Sequence, residues 1–136
     1  HFILAEAAEK GFISADAEIL YNQGVQLAFD YWLTDLPAEY LTGAAAYTAP
    51  GTTPLQQIIT QKWIANLING YEGWIEWRRT GFPEFRPVAA SLNDGVIPVR
   101  MPYPAEEQAL NADNYQAAAA ATNDNSLNSP VWWDNN

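Results

Sequence analysis

Residues 74–83 read Trp-Ile-Glu-Trp-Arg-Arg-Thr-Gly-Phe-Pro at the end of a long amphipathic segment. Tryptophan combines a large apolar surface with an N–H that needs a partner, so the cluster is typical of a buried hub or of a stacking platform. Arg78 and Arg79 suit the last turn of a helix, where cations complement the helix dipole. Gly81 and Pro83 are expected to end that helix.

We favour a structural role for this cluster over a ligand-binding role. Glu76 and Arg79 are one helical turn apart, so an ion pair between them is available. Trp74 and Trp77 offer apolar surface that can hold the following irregular part of the chain against the helix.

The segment before the cluster has the pattern of one long helix. Thr53 and Gln56 form a capping box at its start. Apolar residues then recur at spacings of three and four as far as Ile75. Gly70 and Gly73 interrupt the pattern, and we interpret them as sites of close backbone approach or of a kink.

Two shorter helices are predicted near the beginning of the chain, over residues 2–10 and about 17–32. Gly11 suits the end of the first helix, and Ser14 and Asp16 are candidate caps of the second. Together they form a helical hairpin of the kind found in tetratricopeptide-like arrays. One hairpin cannot bury both of its faces, so we expect the chain to be a piece of a longer helical protein.

Residues 33–53 are rich in Ala, Pro and Gly and predict a long surface loop, which is uncommon unless the loop is functional. Trp32, Tyr40 and Tyr47 lie on or beside it. Exposed aromatic faces beside polar groups are typical of sugar-binding sites, so these three residues are the ligand-binding candidates. The alternative, which we favour, is that Trp32 caps the hairpin and the tyrosines pack the loop down.

The rest of the chain loses helical periodicity. Residues 1–81 are therefore predicted to be the helical part and residues 82–136 an irregular, proline-rich part, which includes Pro87. A turn at Asn93-Asp94-Gly95 is expected to lead into a short extended piece at 96–100. Two short helices are predicted after that piece, at about 105–110 and 112–121.

Two motifs of the irregular part are also interpreted as structural. Arg100 and Tyr103 are expected to form a clamp in which the guanidinium lies beside the ring and a nearby carboxylate. Trp132 and Trp133 could stack a ligand, but two tryptophans are costly to leave in water, so docking on the protein body is the simpler interpretation.

Composition excludes several classes of function. The formal net charge of −10, from 16 acidic and 6 basic side chains, argues against nucleic acid as a partner. Cysteine is absent and histidine occurs once, so neither a nucleophilic triad nor a transition-metal site can be assembled, and no cofactor is indicated.

An enzymatic alternative is a glycoside hydrolase that uses Glu72 and Glu76 as its acid and base. Such a pair needs opposed environments across a cleft, whereas neighbours on one helix face share an environment. Glu106 and Glu107 are adjacent in the chain, and we expect them to lie at the start of a helix. We therefore expect a binding protein that is not an enzyme.

The order of motifs resembles that of the SusD/RagB-type nutrient-binding outer-membrane lipoproteins, in the C-terminal portion of the family. The resemblance is carried by Ala5 to Gly11, Ala17 to Gly24, the Glu-Trp-Arg-Arg-Thr-Gly-Phe-Pro signature at Glu76 to Pro83, Val99-Arg100-Met101-Pro102-Tyr103-Pro104 with Glu107 and Asn111, and Val131-Trp132-Trp133-Asp134.

This resemblance implies a mostly α-helical fold with tetratricopeptide-like hairpins and a loop-rich C-terminal part. It implies capture of an oligosaccharide, or of a peptide in some members, at the surface of the outer membrane and its delivery to a TonB-dependent, SusC-like transporter. Membrane association would run only through an N-terminal lipid anchor outside this chain. A helical-repeat module that contacts the transporter without binding a ligand of its own remains the alternative.

Overall fold

The structure, a computed structural model, describes residues 1–86 and 90–134. Pro87, one of the prolines of the irregular part, lies outside these residues. Within them the regular structure is entirely helical, as expected. The helices are α1 (Phe2–Glu9), α2 (Ala17–Tyr31), a short 3-10 helix (Tyr40–Thr42), α3 (Pro54–Ala65), α4 (Gly70–Thr80), α5 (Ala105–Leu110) and α6 (Ala112–Ala120).

The chain divides into two compact units, which we call the helical unit (His1–Glu84) and the C-terminal unit (Phe85–Asn136). In the helical unit α1 packs against both α2 and α3, and α3 packs against α2 and α4. The predicted α1–α2 hairpin is therefore confirmed.

Local chemistry explains how the second helix of the hairpin begins and how closely the two helices approach each other. The Asp16 side chain caps α2 by accepting a hydrogen bond from the Ile19 N–H at 3.0 Å. Gly24 is buried in the middle of α2, and a Cβ there would lie 3.0 Å from the Phe2 ring. The absence of a side chain at residue 24 thus allows α1 to pack closely on α2.

The core of the helical unit is built where these helices meet the long loop. Its buried members are Ala5, Tyr21, Val25, Tyr47 and Ile58. Tyr47 belongs to the 33–53 loop, so the loop contributes directly to the core.

The prediction of one long helix over the segment before the Trp/Arg cluster is wrong, because the chain breaks between α3 and α4. The Asn69 side chain caps the new helix by accepting from the Glu72 N–H at 3.4 Å, and Gly70 is its first residue. Gly73 does mark a close approach, since a Cβ there would lie 3.0 Å from Nε1 of Trp63. The break allows α4 to fold back against α3.

Residues 33–53 form a surface segment, as predicted, and the segment is bonded to the helices beneath it. The buried Tyr21 hydroxyl donates to the Ala45 carbonyl at 2.6 Å, and the Gln57 amide donates to the Ala44 carbonyl at 3.0 Å. Small alanine side chains let the loop backbone approach the helices closely enough for these bonds. The loop is thus held onto α2 and α3 by buried polar side chains.

In the C-terminal unit the predicted turn is present, with positive φ at Asp94 and Gly95 and a 2.8 Å bond from the Val96 N–H to the Asn93 carbonyl. Positive φ at both central residues is the signature of a type I′ turn. The segment that follows is irregular, and it is tied to the Leu127 carbonyl through backbone N–H groups.

The Arg100 clamp forms with the expected Tyr103 ring, but an amide and a backbone carbonyl take the place of the expected carboxylate. The guanidinium lies 4.9 Å from the centroid of the Tyr103 ring. It donates to the Asn125 amide oxygen at 3.0 Å and to the Ser126 carbonyl at 3.1 Å, where a carboxylate was expected. The Asn125 oxygen also accepts from the Tyr103 N–H at 2.9 Å, so one amide oxygen serves both residues of the clamp.

The prediction that both terminal tryptophans dock is wrong for Trp132, which is 93% exposed. Trp133 is half-buried. Adjacent residues point their side chains in different directions, so a single packing surface can cover only one of the pair.

Candidate functional site

Part of the signature stretch forms a network of ion pairs within the helical unit. Arg79 on α4 reaches Glu6 on α1 at 2.6 Å and Glu76 at 2.8 Å. Lys62 on α3 pairs with Glu76 at 2.8 Å, and Lys10 pairs with Glu6 at 2.7 Å. The ion pair expected between Glu76 and Arg79 is therefore present, and it belongs to a network that joins three helices.

The network fixes the charge state of its carboxylates. Burial alone would raise the pKa of Glu6, but hydrogen bonds from Arg79 and Lys10 outweigh burial and lower that pKa to about 2. The Glu76 carboxyl responds in the same direction: burial opposes ionisation, and the bonds from Arg79 and Lys62 lower its pKa. A general acid needs a raised pKa, so Glu76 is poorly suited to that role.

The other residues of the stretch pack against each other. Arg78 is buried, and its guanidinium carbon lies 3.6 Å from the centroid of the Trp74 ring. This geometry is that of a cation–π contact. Together with the ion-pair network it supports the structural role that we favoured for Trp74, Glu76, Arg78 and Arg79.

An apolar pocket of about 210 Å³ opens beside Trp32 and Tyr40, two of the three ligand-binding candidates. Trp32 follows α2, and its indole N–H donates to the Ala65 carbonyl at the end of α3, at 3.3 Å. The Tyr40 ring packs edge-on against Phe29, with 5.1 Å between ring centroids. The lining residues are Val25, Ala28, Phe29, Trp32, Thr34, Tyr40, Gln61, Ile64, Ala65 and Leu67.

A second groove of about 490 Å³, which we call the polar groove because most of its lining residues have polar side chains, lies on the same unit and shares Tyr40 and Gln61 with the apolar pocket. The Tyr40 hydroxyl donates to the Gln61 amide oxygen at 3.1 Å, so this pair forms a wall common to both cavities. The groove runs between the 33–53 loop and α3. It is lined by Glu39, Tyr40, Ala44, Ala45, Thr52, Gln56, Gln57, Thr60 and Gln61.

The third candidate, Tyr47, lies in the core, where its hydroxyl donates to the Glu9 carboxylate. Burial and this hydrogen bond raise the pKa of Tyr47. The ring therefore packs the loop down, which is the alternative that we favoured for the tyrosines.

Sequence reasoning did not find the remaining residues of the two cavities. Phe29 and Ile64 follow the apolar spacing of their helices and are indistinguishable there from core residues. The i, i+4 spacing of Gln56 and Thr60, and of Gln57 and Gln61, along α3 was the signal that could have revealed the groove.

The described parts of the chain contain neither a metal-binding cluster nor a membrane-spanning helix. Within residues 1–86 and 90–134, no group of three or more His, Asp or Glu side chains is placed to hold a metal ion. No helix in the same residues is long and apolar enough to cross a membrane.

Comparison with known proteins gives the family. Residues 1–104 match the model of a SusD-like family described as starch-binding and associating with the outer membrane. The chain belongs to the SusD-like family. A comparison with curated proteins gives no match.

Solved structures agree with this assignment. A SusD-like protein from Bacteroidetes AC2a matches with a TM-score of 0.85 and 29% identity, covering 99% of this chain and 29% of that one. A SusD homologue from Parabacteroides distasonis matches with a TM-score of 0.81 and 31% identity, covering 100% and 32%. A chitin-binding SusD homologue from Flavobacterium johnsoniae matches at 0.79 and 30%, covering 99% and 35%.

The SusD-like chain described here therefore spans only 29% to 35% of the length of these relatives. Its all-helical fold is that of its SusD-like structural neighbours.

Proposed function

We propose that this chain contributes to the non-enzymatic binding of a glycan, with the apolar pocket beside Trp32 and Tyr40 as part of the binding site. The observation that carries the proposal is the pairing of two aromatic side chains around one open pocket in a member of a starch-binding family. Aromatic faces contact the apolar C–H surfaces of sugar rings, and nearby polar groups orient the hydroxyls.

The size of the pocket limits what it holds. At about 210 Å³ it is smaller than the roughly 300–1,000 Å³ of pockets for drug-sized ligands. It therefore suits one sugar unit, and the rest of an oligosaccharide would extend along the neighbouring surface.

Isothermal titration calorimetry with maltoheptaose and with chitohexaose tests this function. We expect at least one of the two to bind the wild-type chain, and binding to weaken by about ten-fold or more in Trp32→Ala, because a buried aromatic contact contributes on the order of 1–3 kcal/mol. Trp132→Ala is the matched control, since Trp132 is 93% exposed and lies in the C-terminal unit. Equal binding by Trp32→Ala and the wild type would refute the assignment of the site.

We further propose that the protein acts at the cell surface, in the outer membrane, and passes the glycan to a TonB-dependent, SusC-like transporter. The family description, which includes association with the outer membrane, supports the location. Co-purification with a SusC-like transporter in detergent tests the proposed contact with the transporter. Recovery of the protein without the transporter would argue against it.

The second candidate function is a protein-interaction module that contacts the transporter without binding a glycan. It is favoured by highly exposed apolar side chains that follow α2 and α3, namely Leu33, Leu67 and Ile68. This candidate predicts transporter binding that Leu33→Ser and Ile68→Ser weaken, together with no heat of binding for either sugar. Sugar binding by the wild type would exclude it.

A further inference from the structure

The polar groove presents amide groups whose orientation is fixed by bonds inside the protein. The Gln56 amide oxygen accepts from the Thr53 N–H at 2.7 Å, as part of the capping box of α3. The Gln61 amide oxygen accepts from the Tyr40 hydroxyl at 3.1 Å. Since the oxygen of each amide is already engaged, each NH₂ group is left to act as a donor.

Gln57 has a different role in the same groove. Its NH₂ group donates to the Ala44 carbonyl and to Thr52 Oγ1, both at 3.0 Å. Gln57 therefore holds the loop against α3, while Gln56, Gln61 and the neighbouring Thr60 line the same groove.

The charges around the groove define which ligands fit. Glu39 is the one acidic side chain among the described lining residues, and none of them is Lys, Arg or His. A uronate or sulfate placed in such a groove would meet the Glu39 carboxylate and no cation. The uncharged hydroxyl groups of a sugar would instead find the amide donors of Gln56 and Gln61, the Thr60 hydroxyl and a carboxylate acceptor.

We propose that this groove is a second subsite of the glycan site, which binds the hydroxyl groups of uncharged sugar units and discriminates against anionic ones. The inference rests on the function proposed above and adds the chemical class of the ligand. The shared wall of Tyr40 and Gln61 places the two cavities side by side, so one chain of sugars can place a ring in the apolar pocket and its neighbour in the groove.

Two substitutions test the hydroxyl-binding role without disturbing the helix. Gln56→Glu keeps an oxygen for the Thr53 N–H, so the cap survives, but it replaces the NH₂ donor by a carboxylate oxygen. Thr60→Val keeps the shape of the side chain and removes its hydroxyl. Gln23→Glu adds the same charge as Gln56→Glu at an exposed position of α2 outside both cavities and is the matched control.

We expect Gln56→Glu and Thr60→Val each to weaken the binding of maltoheptaose or chitohexaose by about three- to ten-fold, the effect of one lost hydrogen bond. Gln23→Glu should bind like the wild type, and circular dichroism should show all three variants to be folded. If Trp32→Ala loses binding while Gln56→Glu and Thr60→Val retain it, the groove is not a subsite, although the proposed function stands. If the wild type binds neither sugar, both proposals fail together.

The charge discrimination is tested with an oligogalacturonate of matched length at low ionic strength. We expect it to bind about ten-fold or more weakly than the uncharged sugar, because like charges brought together oppose binding. Glu39→Gln should reduce this difference, whereas Glu72→Gln, which removes one charge from an exposed site on α4, should leave it unchanged. Equal binding of the anionic and uncharged sugars by the wild type would overturn the assignment of ligand class.

Discussion

Arg79 donates two hydrogen bonds to the carboxylate of Glu6, from Nη1 to Oε1 at 2.6 Å and from Nη2 to Oε2 at 2.8 Å. These residues are 73 positions apart in the chain, so the pair joins the first helix of the helical unit to the last. The Glu6 bonds also raise the pKa of Arg79, which keeps the guanidinium charged. The arginine of the family signature therefore closes the helical unit.

Replacing Arg79 by Lys removes the planar fork that makes this two-point contact. We expect Arg79→Lys to lower the free energy of unfolding by about 1–3 kcal/mol, the range for hydrogen bonds to charged groups. Urea denaturation followed by far-UV circular dichroism measures the change. Arg86→Lys, at an exposed arginine, is the control, and an equal loss in both variants would contradict the role given to Arg79.

The Glu6 carboxylate also predicts how stability depends on pH. Its pKa falls from 4.5 to about 2 in the folded protein, so the folded state binds fewer protons than the unfolded state in this range. The stabilisation is therefore complete above about pH 4.5 and is lost as the pH falls towards 2. Glu76 acts in the same direction.

Glu6→Gln should accordingly lose less stability than the wild type between pH 4.5 and 2, even though it is less stable at neutral pH. Denaturation curves recorded across this window test the prediction. Glu106→Gln, a change at an exposed carboxylate, should keep the wild-type slope. A wild-type slope in Glu6→Gln as well would show that other carboxylates control acid unfolding.

Alanine substitutions at Gly73 and at the nearby Gly70 are expected to change the stability of the protein differently. A Cβ at residue 73 would lie 3.0 Å from Trp63 Nε1, whereas a Cβ at residue 70 would meet nothing within 4 Å. We expect Gly73→Ala to destabilise the chain by about 1–3 kcal/mol through overpacking. Gly70→Ala should be neutral, or stabilising by up to about 1 kcal/mol. Thermal denaturation of the two variants makes the comparison, and equal stabilities would show that α4 does not pack closely on Trp63.

The sequence predicted the helices whose signals are local. The Asp16 cap, the Thr53 and Gln56 capping box, and the Gly81 end of α4 were all readable because their partners lie within four residues. The break before α4 was readable in principle from Asn69 followed by Gly70, a cap residue before a flexible one. The run of apolar residues on both sides obscured that signal.

The packing of the loop and the two cavities depend on contacts between distant residues. The hydroxyl of Tyr21 meets the Ala45 carbonyl across 24 residues, and that of Tyr40 meets Gln61 across 21. No local pattern specifies such pairs. The sequence therefore indicated Trp32 and Tyr40 as candidates, but it did not reveal the apolar pocket or the polar groove, which Tyr40 separates.

The contact between Tyr21 and the loop can be tested directly. Tyr21→Phe leaves the Ala45 carbonyl without its donor, which we expect to cost about 1 kcal/mol. Amide hydrogen exchange should then speed up in residues 40–49. Tyr71→Phe, at a tyrosine that is 68% exposed, should leave exchange unchanged, and protection retained in Tyr21→Phe would mean that the loop is held by other contacts.

The central claim is that a glycan binds beside Trp32 and Tyr40, and its most direct test is an NMR titration that follows the indole N–H signals of the six tryptophans. On addition of maltoheptaose or chitohexaose, we predict that the Trp32 signal shifts in a saturable manner, while the signal of the exposed Trp132 stays in place. Tyr40→Ala should abolish the Trp32 shift. A shift confined to Trp132, or no shift of Trp32 while calorimetry reports binding, would contradict the account.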